Sequence, residues 1–164
     1  MKTFSQLVIV ALSSLFFSSC GSDAPKEVVA DTVVEETTKN WEEFTISAVG
    51  NTMQDMMYSE KNLNVKEGSW VRIILKNEGV DQAMIHNILF VNFGKRKDLA
   101  LLANEAGPDN EFIPSSPDLI AASGLALPGE TITLEFKAPA KGNYEFFCSY
   151  PGHAGMMKGY LFVK

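Results

Sequence analysis

Histidine and cysteine are each present only twice in 164 residues. Two cysteines cannot staple a fold with several disulfides, and two histidines exclude any site that needs three or more imidazoles. Positive charge is also short. Fourteen Lys and Arg stand against twenty Asp and Glu, for a net charge of −6 and a pI near 4.9. That balance argues against nucleic acid as a partner, because phosphate recognition needs clustered basic side chains. No internal repeat is present, and no apolar run reaches the roughly 18 residues of a membrane-spanning helix. What is present is an ordinary globular composition, 46% hydrophobic and 21% charged, enough for one buried core.

The first residues read as a leader. Met1–Gln6 carries Lys2, Leu7–Phe17 (LVIVALSSLFF) is apolar, and Ser18-Ser19 leads into Cys20-Gly21-Ser22. A charged start, a short apolar middle and small residues after it describe a secretory signal. The stretch resembles a bacterial lipoprotein signal, with a plain signal peptide as the alternative. The expectation is a signal peptide over 1–19 and lipidation of Cys20, anchoring the chain in a membrane of the bacterial cell envelope, periplasm-facing or at the surface. Two acyl chains would give a stable anchor where one is marginal. Residues 20–40 then form a flexible acidic tether with an r.m.s. reach of roughly 25 Å, unless VVADTVV pairs with a sheet edge. With Cys20 acylated, Cys148 is the one remaining thiol. A lone cysteine in an oxidising compartment points to reactivity or metal binding.

Residues 41–164 read as one all-β domain. Glu42–Val49 alternates with Phe44, Ile46 and Ala48 on one face; Val71–Lys76 does so with Val71, Ile73 and Leu75, and Thr131–Ala138 with Ile132, Leu134 and Phe136. His86–Asn92, Tyr144–Cys148 and Gly159–Lys164 are further strand candidates. Turn signals at Lys66-Glu67-Gly68, Pro128-Gly129-Glu130 and Lys141-Gly142-Asn143 separate the runs. Period-two patterning with such punctuation predicts a β-sandwich or barrel. Lys95–Ala106 is the exception: Leu99, Leu102, Ala103 and Ala106 have helical spacing. Residues 107–127 read as a long connection, with a turn of helix at Asp118–Ala122.

The chemistry gathers in the segment from Cys148 to Gly159, CSYPGHAGMMKG, and in one upstream histidine, His86. Two imidazoles, one thiolate and one thioether are the ligand set of a mononuclear blue-copper site, three donors in a plane and a weak axial Met. Soft sulfur favours Cu(I) and imidazole accepts both oxidation states, so an electron can move with little ligand rearrangement. Pro151-Gly152 predicts a tight turn that returns His153 to Cys148. A Cys/His nucleophile and base remains an alternative on residue types alone, but it wants a third orienting group.

Residues 41–164 resemble the cupredoxins and, within that class, the azurins. The resemblance is carried by Asn51-Thr52-Met53-Gln54, Met84-Ile85-His86-Asn87, Glu145–Cys148 and, above all, the Cys-x4-His-x3-Met spacing of Cys148, His153 and Met157. It implies a Greek-key β-sandwich or barrel with one short helix in a long connection. It also implies one type 1 copper, with His86, Cys148 and His153 as equatorial ligands and Met157 axial, Met156 being the adjacent alternative. The Ile85 carbonyl would lie on the second axial side. Asn87 would brace the two ligand loops near Ser149, and the amides of Asn87 and Tyr150 would donate to the Cys148 sulfur. Two azurin features are missing: the disulfide near the N-terminus and a further, pH-sensitive histidine.

With no imidazole left for a second copper and no open coordination position, the implied role is a one-electron carrier, not an enzyme. Its partners would be redox proteins such as c-type cytochromes or terminal reductases and oxidases, met by a monomer through an apolar rim. That rim is expected from Met84, Tyr150, Pro151, Gly152, Ala154, Gly155 and Met156 around the edge of His153. The alternative is a copper buffer or delivery protein of the envelope, suggested by the methionines, Met53, Met56 and Met57 among them. An adhesion module with a vestigial site is a third possibility.

Overall fold

The computed structural model describes residues 39–164. The expected signal peptide, Cys20 and the tether up to residue 38 lie outside the described residues. Among the described residues the chain forms nine strands and one α-helix: β1 (Trp41–Val49), β2 (Met57–Tyr58), β3 (Asn62–Val65), β4 (Trp70–Asn77), β5 (Leu89–Asn92), α1 (Arg96–Ala106), β6 (Leu119–Ala122), β7 (Thr131–Lys137), β8 (Gly142–Phe147) and β9 (Lys158–Val163). They make two sheets, ordered β2-β1-β4-β7 and β3-β9-β8-β5-β6. The crossovers are those of a Greek-key sandwich. β1 runs parallel to β4 and β3 parallel to β9, while the other pairs are antiparallel.

Alternation decides which side chains fill the space between the sheets. Ile46 and Ala48 of β1, and Val71, Ile73 and Leu75 of β4, are buried against Leu63, Val65, Phe90, Phe146, Leu161 and Val163 of the second sheet. Full burial of each large side chain stabilises by roughly 1.5–3 kcal/mol. The second sheet is also covered on its outer face. There α1 lays Leu99 on Leu89, Val91 and Phe147. Two covered faces explain why LFV of β5 and EFF of β8 are buried without alternation.

The helix begins one residue later than its spacing predicts and buries only Leu99 and Ala103; Leu102 is exposed. The expected helical turn at Asp118–Ala122 is instead β6. LIAA pairs with β5, and Asn92 Nδ2 donates to Asp118 Oδ1 at 2.8 Å, so an open sheet edge overrides a weak local preference. The expected strand His86–Asn92 is regular only from Leu89. His86 makes a single bridge to Ala126, and the Ile88 amide donates to Ser123 Oγ at 3.0 Å in place of a ladder partner. Two short strands, β2 and β3, fall in a stretch whose alternation is too brief to read from sequence.

Candidate metal centre

Three segments converge at one end of the sandwich. His86 is fixed by its bridge, its amide donating to the Ala126 carbonyl at 3.1 Å and its carbonyl accepting from the Ala126 amide at 2.7 Å. Cys148 follows β8 directly, and its amide donates to the Met157 carbonyl at 3.0 Å, extending the β8–β9 ladder by one bond. Between these two residues the chain turns at Tyr150-Pro151-Gly152-His153. The His153 amide donates to the Tyr150 carbonyl at 3.0 Å, and Gly152 has φ 85° and ψ −14°, the third position of a type II turn. Only glycine adopts that conformation without strain. A short 3-10 turn, His153–Gly155, then leads to Met156 and Met157.

The resulting geometry gathers His86, Cys148 and His153, whose donor atoms all lie within 4.8 Å of one another. Cys148 Sγ is 3.9 Å from His86 Nδ1 and 3.7 Å from His153 Nδ1, and the two Nδ1 atoms are 3.2 Å apart. All three residues are buried. Burial, with the neighbouring His153, pushes His86 down to about 4, and burial pushes His153 down to about 4. Both imidazoles are therefore neutral at ordinary pH, with lone pairs free. Burial pushes the Cys148 thiol up to about 11, against the pull of the Asn87 and Tyr150 amides and the Tyr58 hydroxyl. A thiol so placed ionises only beside a cation. Two facing imidazole nitrogens and a sulfur, dry and convergent, form a donor set that a copper ion fits.

The supports are polar groups from five segments. Asn87 Nδ2 donates to Ser149 Oγ at 2.8 Å and to the Glu111 carbonyl at 3.2 Å, while the Ser149 amide donates to Asn87 Oδ1 at 2.9 Å. Ser149 Oγ donates to the Phe112 carbonyl at 2.6 Å. The Tyr58 hydroxyl donates to the Asn87 carbonyl; burial and the adjacent Cys148 hold its own ionisation well above the usual range. Asn77 Nδ2 donates to the Met84 and Ala126 carbonyls at 2.7 and 2.9 Å, tying β4 to both sides of the His86 bridge. Tyr58, Asn77, Glu111 and Phe112 are not legible as site residues in the sequence. Asn77 carries a signal, a polar residue continuing the inward series 71, 73, 75. Glu111 and Phe112 serve through carbonyls, with φ of 51° and 55°, and side-chain chemistry gives no hint of that.

The methionines separate cleanly. Met157 is 0% exposed and sits in the core cluster with Cys148, whereas Met156 is 46% exposed. Ile85, just before His86, is half-buried. The expected rim needs correction at two points. Met84 is only 4% exposed, because its side chain packs into the core and its carbonyl faces Asn77. His153 is 1% exposed, not open at its edge; the Tyr150 ring lies 4.9 Å from its ring, and Phe112 packs edge-on to Tyr150 at 5.2 Å. Met53 joins the rim instead. A Cβ on Gly152 would meet its Cε at 2.8 Å, so the thioether tip lies directly on the turn.

A family model described as copper binding proteins, plastocyanin/azurin family, matches residues 45–164. The chain belongs to the plastocyanin/azurin family of copper-binding proteins. This cupredoxin is 34% identical over 120 residues to auracyanin-A of Chloroflexus aurantiacus, covering 71% of this chain and 72% of that one. It is 32% identical over 113 residues to azurin iso-2 of Methylomonas sp., covering 65% of this chain and 88% of the relative. Among solved structures, auracyanin A, described as a blue copper protein, superposes with a TM-score of 0.68 at 31% identity, covering 76% of this chain and 99% of its own. Azurin-like and auracyanin-like cupredoxins are electron carriers and not enzymes, and the cofactor of this one is a single type 1 copper. No helix among the described residues is long and apolar enough to cross a membrane.

Proposed function

We propose that His86, Cys148, His153 and Met157 would together hold the copper, and that the protein shuttles single electrons between redox proteins of a bacterial envelope. The observation that carries this is the convergence of the three buried donors within 4.8 Å of one another. Copper, when bound, supplies the one-electron Cu(II)/Cu(I) couple. The chain's own work is to keep the donors in one arrangement for both oxidation states. Asn87 and Ser149 lock the two ligand segments together, and burial of all donors excludes water and with it the open position a catalytic metal needs. The amides of Asn87 and Tyr150 point at the Cys148 sulfur and tune the thiolate. The Ile85 carbonyl lies next to His86 in sequence and would be a further, weak oxygen donor to the copper.

Partners such as c-type cytochromes or terminal reductases and oxidases would dock on the exposed loop of Pro151, Gly152, Gly155 and Met156, with Tyr150, Ala154 and Met53 beside it. Small, weak interfaces suit rapid exchange of partners. A lipid on Cys20 would hold the domain at the membrane on its tether. The copper-buffering alternative rests on clustered methionines, and Met56 of that cluster is wholly buried in the core.

The visible spectrum of the copper-loaded, oxidised protein tests the reading. Intense thiolate-to-copper absorption is expected, and Cys148→Ser should abolish it while two imidazoles still retain copper. Its survival in that variant sinks the assignment. Met157→Leu should raise the reduction potential, because a lost thioether donor weakens Cu(II) more than Cu(I); Met156→Leu should leave it in place, and the reverse pattern would exchange the two roles.

A further inference from the structure

Arg96 stands apart from the site by sequence and from every ligand by function, yet it is wired to both. It is the first residue of α1, and its Nη1 donates to the Ala154 carbonyl at 2.8 Å, one residue past His153. Its Nε lies 3.5 Å from Glu145 Oε1 on β8, three residues before Cys148. The second carboxylate oxygen of Glu145 accepts the Gly94 amide at 2.9 Å and the Arg96 amide at 3.4 Å, so the acid also closes the start of the helix. The two side chains are only 15% and 11% exposed. Ala154 packs on the same apolar cluster as Leu99 and Phe147.

We propose that Arg96 is a positioning residue of the copper site, clamping the His153-bearing turn to the strand that delivers Cys148, with Glu145 as its anchor. The inference rests on the copper reading for its redox consequence but not for the clamp. Asn87 and Ser149 tie Cys148 to His86; no hydrogen bond of that brace reaches the 3-10 turn. That turn is held from within by the Met156 and Met157 amides on the His153 carbonyl, at 3.0 and 2.9 Å. From outside, the guanidinium supplies a side-chain tie to Ala154. An arginine suits the role because Nη1 can donate to the Ala154 carbonyl while the delocalised charge faces Glu145 at 3.5 Å, a contact of charges in which Nε itself makes no hydrogen bond. Burial keeps the pair from being screened by salt. The guanidinium also places a fixed positive charge beside the site, which favours the state with less positive metal.

The test has an arm without copper. In the metal-free protein, Arg96→Met should speed hydrogen exchange of the Met156 and Met157 amides at least ten-fold while the β4 amides of Val71, Ile73 and Leu75 stay within two-fold. Arg96→Lys should give an intermediate rate, and it serves as the readout should the methionine variant fail to fold. Unchanged exchange in a folded methionine variant, or in the lysine variant where the methionine variant does not fold, overturns the clamp. In the copper-loaded protein, Glu145→Gln keeps an oxygen for the Gly94 amide and removes the negative charge, so the reduction potential should rise; Arg96→Met should lower it. Potentials that move the opposite way overturn the electrostatic part. A wild-type protein without thiolate-to-copper absorption would remove the copper reading and leave the exchange result standing, so the two failures are distinguishable.

Discussion

The two sheets use the same kind of ion pair to different ends. On the first sheet Arg72 meets Glu43 at 2.9 Å and Glu135 at 2.7 Å across the β1-β4-β7 surface, all three in solvent, with Trp41 beneath the guanidinium. On the second sheet Arg96 and Glu145 are enclosed between α1, β8 and the turn after His153. One sheet has a single buried face and a wet, charged one. The other is buried on both faces, and two donors, Cys148 and His153, hang from its β8–β9 end. The comparison teaches that the doubly covered layer is the one that can hold a metal geometry fixed, because its neighbours have no room to give.

Acid should expose the difference most. In the metal-free protein both site imidazoles sit at about 4, against an ordinary value of 6.5. The unfolded chain therefore binds more protons between those values. Stability is unaffected above pH 6.5, falls as the pH drops through the window, and stops falling from this cause below about 4. Each imidazole gives up on the order of 1.4 kcal/mol for every pH unit crossed inside that window. Chemical denaturation at a series of pH values, with and without copper, measures it; copper should raise stability and steepen the curve, because the bound form holds both imidazoles deprotonated and Cys148 as thiolate. A metal-free protein equally stable at the two ends of the window contradicts the burial of the pair.

Packing comes next. A Cβ on Gly159 would lie 2.2 Å from Phe146 Cζ and 2.6 Å from the Lys61 carbonyl. Gly159→Ala should cost about 3 kcal/mol of unfolding free energy, since backbone on one side leaves the ring to move alone. A cost below about 1 kcal/mol would show that the second sheet yields more than its burial implies. The smallest effect is expected on the first sheet. Arg72→Ala should lower stability less than either change above, by an amount that shrinks with added salt, and should leave the visible spectrum of the copper form untouched. A spectral change would mean the two sheets are coupled across the core.

Much of this architecture is legible in the chain. Strands with one wet face announce themselves by alternation, as β1, β4 and β7 do. The donor residues are legible because there are so few: two histidines, one cysteine among the described residues and a methionine pair leave little choice. What escapes is work done by the backbone and by pairing. β6 reads as a helical turn because LIAA has no pattern of its own and becomes a strand only on meeting β5. Glu111 and Phe112 support the site through carbonyl oxygens that every residue has. The burial of His153 comes from Tyr150 and Phe112, whose meeting depends on where the long connection after α1 is laid down.

The position of β9 carries a consequence for when the site can exist. β9 is the last of the described strands to be synthesised, yet it lies inside its sheet, between β3 and β8. His153 and Met157 precede it by a few residues only. A chain without β9 in place lacks an interior strand of the second sheet, so β3 and β8 have nothing to join them and the turn that carries His153 has no frame. The metal pocket therefore forms only once β9 has taken its place between β3 and β8, so completion of the second sheet and readiness for metal are one event.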